Sequence, residues 1–145
     1  MVSTYEIVKK FKKKYPITIA WRIKKHADLV DKNLNPGEKV LYAFAAQNDL
    51  NHASIINTAV LAVTNERLIV SQDRIIIGYK VTTVTPEQYN DTQINAGIIF
   101  GTISIDTLKE TINFSNISKK ALTEIQKNIS TYMIETKKKF YTNNK

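Results

Sequence analysis

The chain has 145 residues, enough for one domain with a sizeable core, and its 43% apolar and 23% charged residues describe a folded protein rather than a disordered tract. It contains no cysteine, which excludes a disulfide scaffold, a thiolate metal site and thiol catalysis. The formal charge of +8 is uneven, +6 over residues 1–35, −3 over 36–117 and +5 over 118–145, so the basic character sits in two flanks.

The first segment reads as helical. Ile7, Val8, Phe11 and Tyr15 share one face of a 3.6-residue period, ringed by Lys9, Lys10, Lys12, Lys13 and Lys14. Pro16 disfavours helix at Tyr15 and suits the first turn of a second helix. There Ile19, Ile23, Ala27, Val30 and Leu34 recur at threes and fours, until Asn33, Asn35, Pro36 and Gly37 stop it. Trp21 joins this face or starts another. His26, between Lys25 and Ala27 and one turn after Arg22, reads as a surface residue.

The period then changes to two. Val40, Tyr42 and Phe44 alternate with Leu41, Ala43 and Ala45, and both sets are apolar or small, which predicts a strand covered on both faces. A polar loop at 47–54 leads to a second strand at 55–64. Asn65-Glu66 turns the chain into a third at 67–71. Gln72-Asp73 reads as a break before a long fourth strand at 74–85, ended by Pro86. A weak fifth strand at 89–94, a sixth at 98–106 and a seventh at 110–114 complete an antiparallel meander. Gly101, inside the sixth, suggests a bend or close packing.

Helical period returns with Leu122, Ile125, Ile129, Tyr132 or Met133, and Thr136, over about 118–137. Lys119, Lys120, Glu124, Lys127 and Glu135 lie off that face. The chain thus divides into a helical extension at 1–35, a barrel with its closing helix at 36–137, and a frayed basic tail at 138–145.

The layout of seven short antiparallel strands and one amphipathic helix resembles a pleckstrin-homology (PH) barrel. The segment Asn35-Pro36-Gly37-Glu38-Lys39-Val40 resembles the start of bacterial PH-like domains. Residues 61–70, with Thr64-Asn65-Glu66-Arg67 between apolar runs, resemble their Thr-Asn-x-Arg hairpin, and residues 97–105 resemble their late glycine-containing strand. The likeness covers about residues 35–135 and is nearest to the YokE-like bacterial PH family. It implies a mainly β fold, a bent antiparallel barrel of about seven strands capped by a C-terminal helix and preceded by N-terminal helices. It also implies protein–protein binding, including self-association, more than lipid recognition. On physical grounds, Arg67 bonds neighbouring carbonyls or an acidic partner such as Glu66.

Catalytic patterns are lacking. Asp49, His52 and Ser54 share one loop, where such residues serve turns more often than a triad. The four glycines form no phosphate loop, and no cofactor or metal site is expected. The loop at 47–54 has no Lys or Arg, so a specific phosphoinositide site, which needs clustered cations, is not expected. No apolar run nears the ~20 residues that span a bilayer, and no secretory signal follows the basic start, which together suggest a cytoplasmic protein. The expectation is a non-catalytic interaction domain whose contacts to itself or another protein use Phe11, Tyr15 and Trp21. The alternative is a peripheral binder of anionic membrane or nucleic acid through Lys9, Lys10, Lys12, Lys13 and Lys14. A minimal barrel needs only 36–137, so the apolar faces of 1–35 must dock on that barrel or on a partner.

Overall fold

The computed structural model describes every residue except Met1, His52, Ser54, Ile75, Ile76, Asn144 and Lys145, and omits the side chains of Phe140, Tyr141 and Asn143. Two helices, α1 (Thr4–Lys14) and α2 (Ile23–Lys32), precede seven strands. These are β1 (Val40–Gln47), β2 (Thr58–Thr64), β3 (Leu68–Arg74), β4 (Gly78–Val84), β5 (Tyr89–Ala96), β6 (Phe100–Thr107) and β7 (Thr111–Ser118). Helix α3 (Leu122–Asn143) closes the chain. Each pairing is antiparallel, in the spatial order β4-β3-β2-β1-β7-β6-β5, and the sheet curls into a half-barrel. This is the fold that the strand pattern and the family likeness predict.

The inner face carries the main core. Phe44, Leu61, Val63, Leu68, Ile103, Ile105 and Phe114 meet Leu122, Ile125, Ile129 and Met133 of α3, all buried. Gly101 lets α3 come this close. A Cβ there would stand 2.4 Å from Leu122 Cδ1 and 2.8 Å from the Asn95 carbonyl oxygen. The glycine thus marks close packing.

The outer face of β1–β3 carries a second core. Ala43, Ala45, Val60, Ala62 and Ile69 lie beneath Val8 of α1 and Ala27 and Val30 of α2. Three alanines leave room for helix backbones, which is why β1 has small residues on that side. The extension therefore docks on its own barrel. The helices are also tied to each other: the Thr4 hydroxyl donates to Asp31 Oδ1 at 2.6 Å, placing a carboxylate at the N-terminus of α1, where the helix dipole favours it.

Several boundaries differ from expectation. Residues 16–22 are not helical, because their backbone groups serve the barrel. Ile19 N–H donates to the Asn116 carbonyl (3.0 Å), Trp21 N–H to Thr58 Oγ1 (3.0 Å), and the Ile19 carbonyl accepts from Gln47 Nε2 (2.9 Å). Strand β2 begins at Thr58, and Ile55 and Ile56 lie exposed in a bend. Gln72-Asp73 is not a break. The Gln72 side chain donates to Thr58 O (3.1 Å) and Asp73 N–H to His26 Nδ1 (2.9 Å), so β3 continues to Arg74. The long fourth strand is replaced by β4 from Gly78, which has φ +86°, and its expected residues Ile75 and Ile76 lie outside the described residues. Strand β7 runs past Phe114 to Ser118 through a bulge, with Asn116 at φ 56°. The tail expected to fray from 138 is helical to Asn143, since neither Gly nor Pro interrupts it.

Two outcomes follow from the two cores. Leu122→Ala lowers stability by about 2–5 kcal/mol in denaturant unfolding, and a loss under about 1 kcal/mol would remove α3 from its closing role. A chain lacking residues 1–35 bares the apolar outer face and loses its cooperative thermal transition. A soluble, cooperatively melting 36–145 fragment would show that the helices are dispensable.

Candidate interaction surface

The Thr-Asn-x-Arg hairpin is a structural lock. Asn35-Pro36-Gly37-Glu38 forms a turn closed by Glu38 N–H to Asn35 O (3.0 Å), with Gly37 at φ +80°, where glycine is unstrained. The turn places the buried Glu38 carboxylate against Arg67 Nε and Nη2 (both 3.0 Å), the Thr64 hydroxyl (2.6 Å) and Asn35 N–H (2.9 Å). Burial opposes ionisation of Glu38, but the Arg67, Asn35 and Thr64 bonds outweigh it and hold the carboxyl below its ordinary range. Arg67 also donates to the Asn33 carbonyl (2.7 Å), so its acidic partner is Glu38 rather than Glu66.

Glu124 plays a similar part where α1, β1 and α3 meet. It accepts from Lys14 Nζ (2.6 Å), Tyr15 OH (3.0 Å) and Tyr42 OH (2.9 Å). Burial again works against the carboxylate and these donors win, so Glu124 titrates below its ordinary range. Of the lysines expected to face a polyanion, Lys14 is thus paired, and Lys12 donates to the carbonyls of Pro16 (2.9 Å) and Thr18. Lys9, Lys10 and Lys13 stay exposed.

The three aromatic candidates have separate fates. Phe11 is buried, its ring 5.7 Å from that of Phe44, and Tyr15 is half-buried beside it with ring centroids 5.2 Å apart. Trp21 is 59% exposed. It forms one wall of a groove of about 670 Å³, with Ile56 (90% exposed) and Ile77 (77% exposed) as the other apolar walls. Arg22, in the left-handed region at φ 53°, turns the chain from Trp21 into α2. Its guanidinium is fixed by the carbonyl (2.9 Å) and carboxylate (2.8 Å) of Asp73. Ile56 and Ile77 were not legible as surface residues, because an isoleucine in a β-rich stretch reads as strand core.

His26 lies under this groove and is buried, contrary to the surface position expected from its charged neighbours. It accepts from Asp73 N–H through Nδ1, and its backbone carbonyl accepts from the Ser71 hydroxyl (2.6 Å). Burial, with help from the Arg22 charge, lowers its pKa from 6.5 to about 4 against the opposing pull of Asp73 and a hydrogen bond with the Trp21 backbone. The imidazole is therefore neutral near pH 7 and acts as a fixed strut.

Of the loop residues that share a triad's composition, Asp49 is engaged by Asn57 Nδ2 (2.8 Å) and Asn51 N–H (3.1 Å), while His52 and Ser54 lie outside the described residues. Among the described residues no cluster of His, Asp and Glu could hold a metal ion, and no helix is long and apolar enough to cross a membrane.

A curled seven-strand antiparallel sheet closed by one helix defines the PH-type fold. Residues 34–131 match the family model described as Bacterial PH domain, and the chain belongs to that family. The match defines the family without distinguishing a branch of it. PH domains are in general non-catalytic interaction modules. No curated protein and no solved structure matches the chain.

The strut and the two carboxylates give stability one sign of pH dependence. The folded pKa of His26, about 4, lies below its ordinary 6.5, so the unfolded chain takes up the proton first. Its contribution is complete above pH 6.5 and is lost on acidification toward pH 4. Glu38 and Glu124 add a further loss as pH falls below their ordinary 4.5. The unfolding free energy should decline between pH 6.5 and 4, and His26→Asn, which keeps an acceptor for Asp73 N–H, should flatten that decline. An unchanged slope in this variant would show that His26 is not buried.

Proposed function

We propose that the protein is a non-catalytic PH-type module that binds protein, and that it self-associates through the tip of the β5–β6 hairpin. One observation carries the self-association: residues 92–105 hold no charged side chain, in a chain of net charge +8. Two like-charged copies meet most favourably where charge is missing. The tip is also apolar, with Ile98 93% and Ile99 58% exposed. Leu50 faces the hairpin across a cleft of about 570 Å³ and is also exposed. Large apolar side chains grouped on a surface mark an interaction site.

The polyanion reading is weaker. Lys12 is turned onto the carbonyls of Pro16 and Thr18 and the exposed Lys14 is paired with Glu124, which leaves Lys9, Lys10 and Lys13 on one short helix. The family's fold does not supply a head-group site either, because the β1–β2 loop has no Lys or Arg.

Light scattering across a concentration series distinguishes these readings. The full chain should exceed its monomer mass of 16.5 kDa, and Ile98→Glu should return it to that value. Joint charge reversal of Lys9, Lys10 and Lys13 should leave the mass unaltered. A wild-type monomer at every concentration, or salt-sensitive vesicle binding lost on charge reversal, would sink the proposal.

A further inference from the structure

The Trp21 groove is apart from the hairpin tip and differs from it in charge. Its floor is polar but satisfied: Gln72 Nε2 donates to Asn57 Oδ1 and to the Thr58 carbonyl, and His26 Nδ1 accepts from Asp73 N–H. Among the described residues no buried side-chain nitrogen or oxygen lacks a partner. The groove thus offers no unmet hydrogen bond at its base, and an occupant is held by its walls and rim. The walls are Trp21, Ile56 and Ile77.

The two rim arginines are not equivalent. Arg22 is neutralised by Asp73 at 2.8 Å. Arg74 ends β3 opposite Gly78 and is half-buried beside the apolar walls, and its guanidinium makes no hydrogen bond or ion pair with another described residue. A partly desolvated guanidinium without a carboxylate favours an anionic neighbour and presents a planar fork that matches a carboxylate. The segment that supplies Trp21, residues 1–35, carries +6, which draws in the same sign of partner.

We infer that this groove binds an acidic, apolar peptide segment of another protein, with large apolar side chains against Trp21, Ile56 and Ile77 and an Asp or Glu on Arg74. A second copy is not the favoured occupant, because its exposed apolar hairpin tip, within the uncharged residues 92–105, has no carboxylate to set on Arg74. The inference rests on the reading of the domain as a protein-binding module, but uses another face, so the two fail separately.

Trp21 is the sole tryptophan, so its emission reports occupancy of the groove directly. The full chain would be panned against a random-dodecamer phage library and the enriched peptides synthesised. Enriched sequences should combine Leu, Ile, Phe or Trp with Asp or Glu, and tryptophan-free members should shift Trp21 emission to the blue. Arg74→Gln should weaken that binding by about tenfold and reduce its salt dependence. Arg74→Glu should move the selected composition from Asp and Glu toward Lys and Arg. Melting temperatures near wild type for both variants would tie the change to the rim. Enrichment of neutral or basic peptides, or of none that shift Trp21, would overturn the inference. So would a blue shift on concentrating the protein alone, which assigns the groove to a second copy, or a shift on phosphatidylserine vesicles, which assigns it to a bilayer.

Discussion

Strands β1 and β7 are neighbours in the sheet yet pair at one position only, Gln47 with Ser115. Beyond that bridge the half-barrel has a seam, and buried backbone groups along a seam need partners. The connecting segment between α1 and α2 supplies them. Ile19 N–H reaches the Asn116 carbonyl, Thr18 Oγ1 accepts from Ser118 N–H (2.9 Å), and Gln47 reaches back to the Ile19 carbonyl. Phe11 completes the repair with its ring. Helix α1 sets Val8 on the outer core and Phe11 on the inner one, which a single helix can do only beside an open strand edge.

The seam accounts for much else in the molecule. It holds residues 16–22 out of helix, and the left-handed turn at Arg22 then starts α2 and leaves Trp21 facing outward. The bulge at Asn116 turns a β7 carbonyl toward this segment rather than into the sheet. Lys12 and Lys14 are drawn in to secure the same region, Lys12 at the C-terminal end of α1 and Lys14 against Glu124. A lysine run that looks like a solvated or anion-binding face is therefore partly structural. The free edge of β5 is managed locally, with Gln126 Nε2 donating to the Thr92 carbonyl (3.1 Å) and Lys137 Nζ to the Tyr89 carbonyl (3.2 Å). Side chains from α3 thus block strand addition there.

The surface left after these repairs has two apolar places of different character. The hairpin tip is uncharged and projects, whereas the Trp21 groove is recessed and edged by a guanidinium that lacks a counter-charge. A neutral projection suits contact between identical basic chains, and a basic-rimmed recess suits a different, acidic partner. The shifted groups Glu38, Glu124, Tyr42 and His26 are each engaged by burial or by partners within the fold.

What the amino-acid order determined by itself was local. The two-residue alternation of Val40–Ala45, the punctuation at Asn65-Glu66, and the spacing of Leu122, Ile125 and Ile129 each encode an element and its buried side within a few residues. The double covering of β1 was visible because both alternating sets are apolar or small. Gly101 advertised a close approach, though its partner Leu122 lies 21 positions further along the chain. Tertiary structure alone decided the rest, since those features depend on residues distant in sequence. Gln72 and Asp73 look like a turn until Thr58 and His26 satisfy them, and His26 looks solvated until β3 covers it. Ile56 and Ile77 look like core, and become groove walls because each falls just outside a strand: Asn57 pairs with Gln47 and Asn48 and delays β2 to Thr58, and β4 starts only at Gly78. Phe11, Tyr15 and Trp21 are alike as aromatic residues on one amphipathic segment. The seam between β1 and β7 separated them, because a gap in a sheet must be filled and only the rings nearest to it could be used.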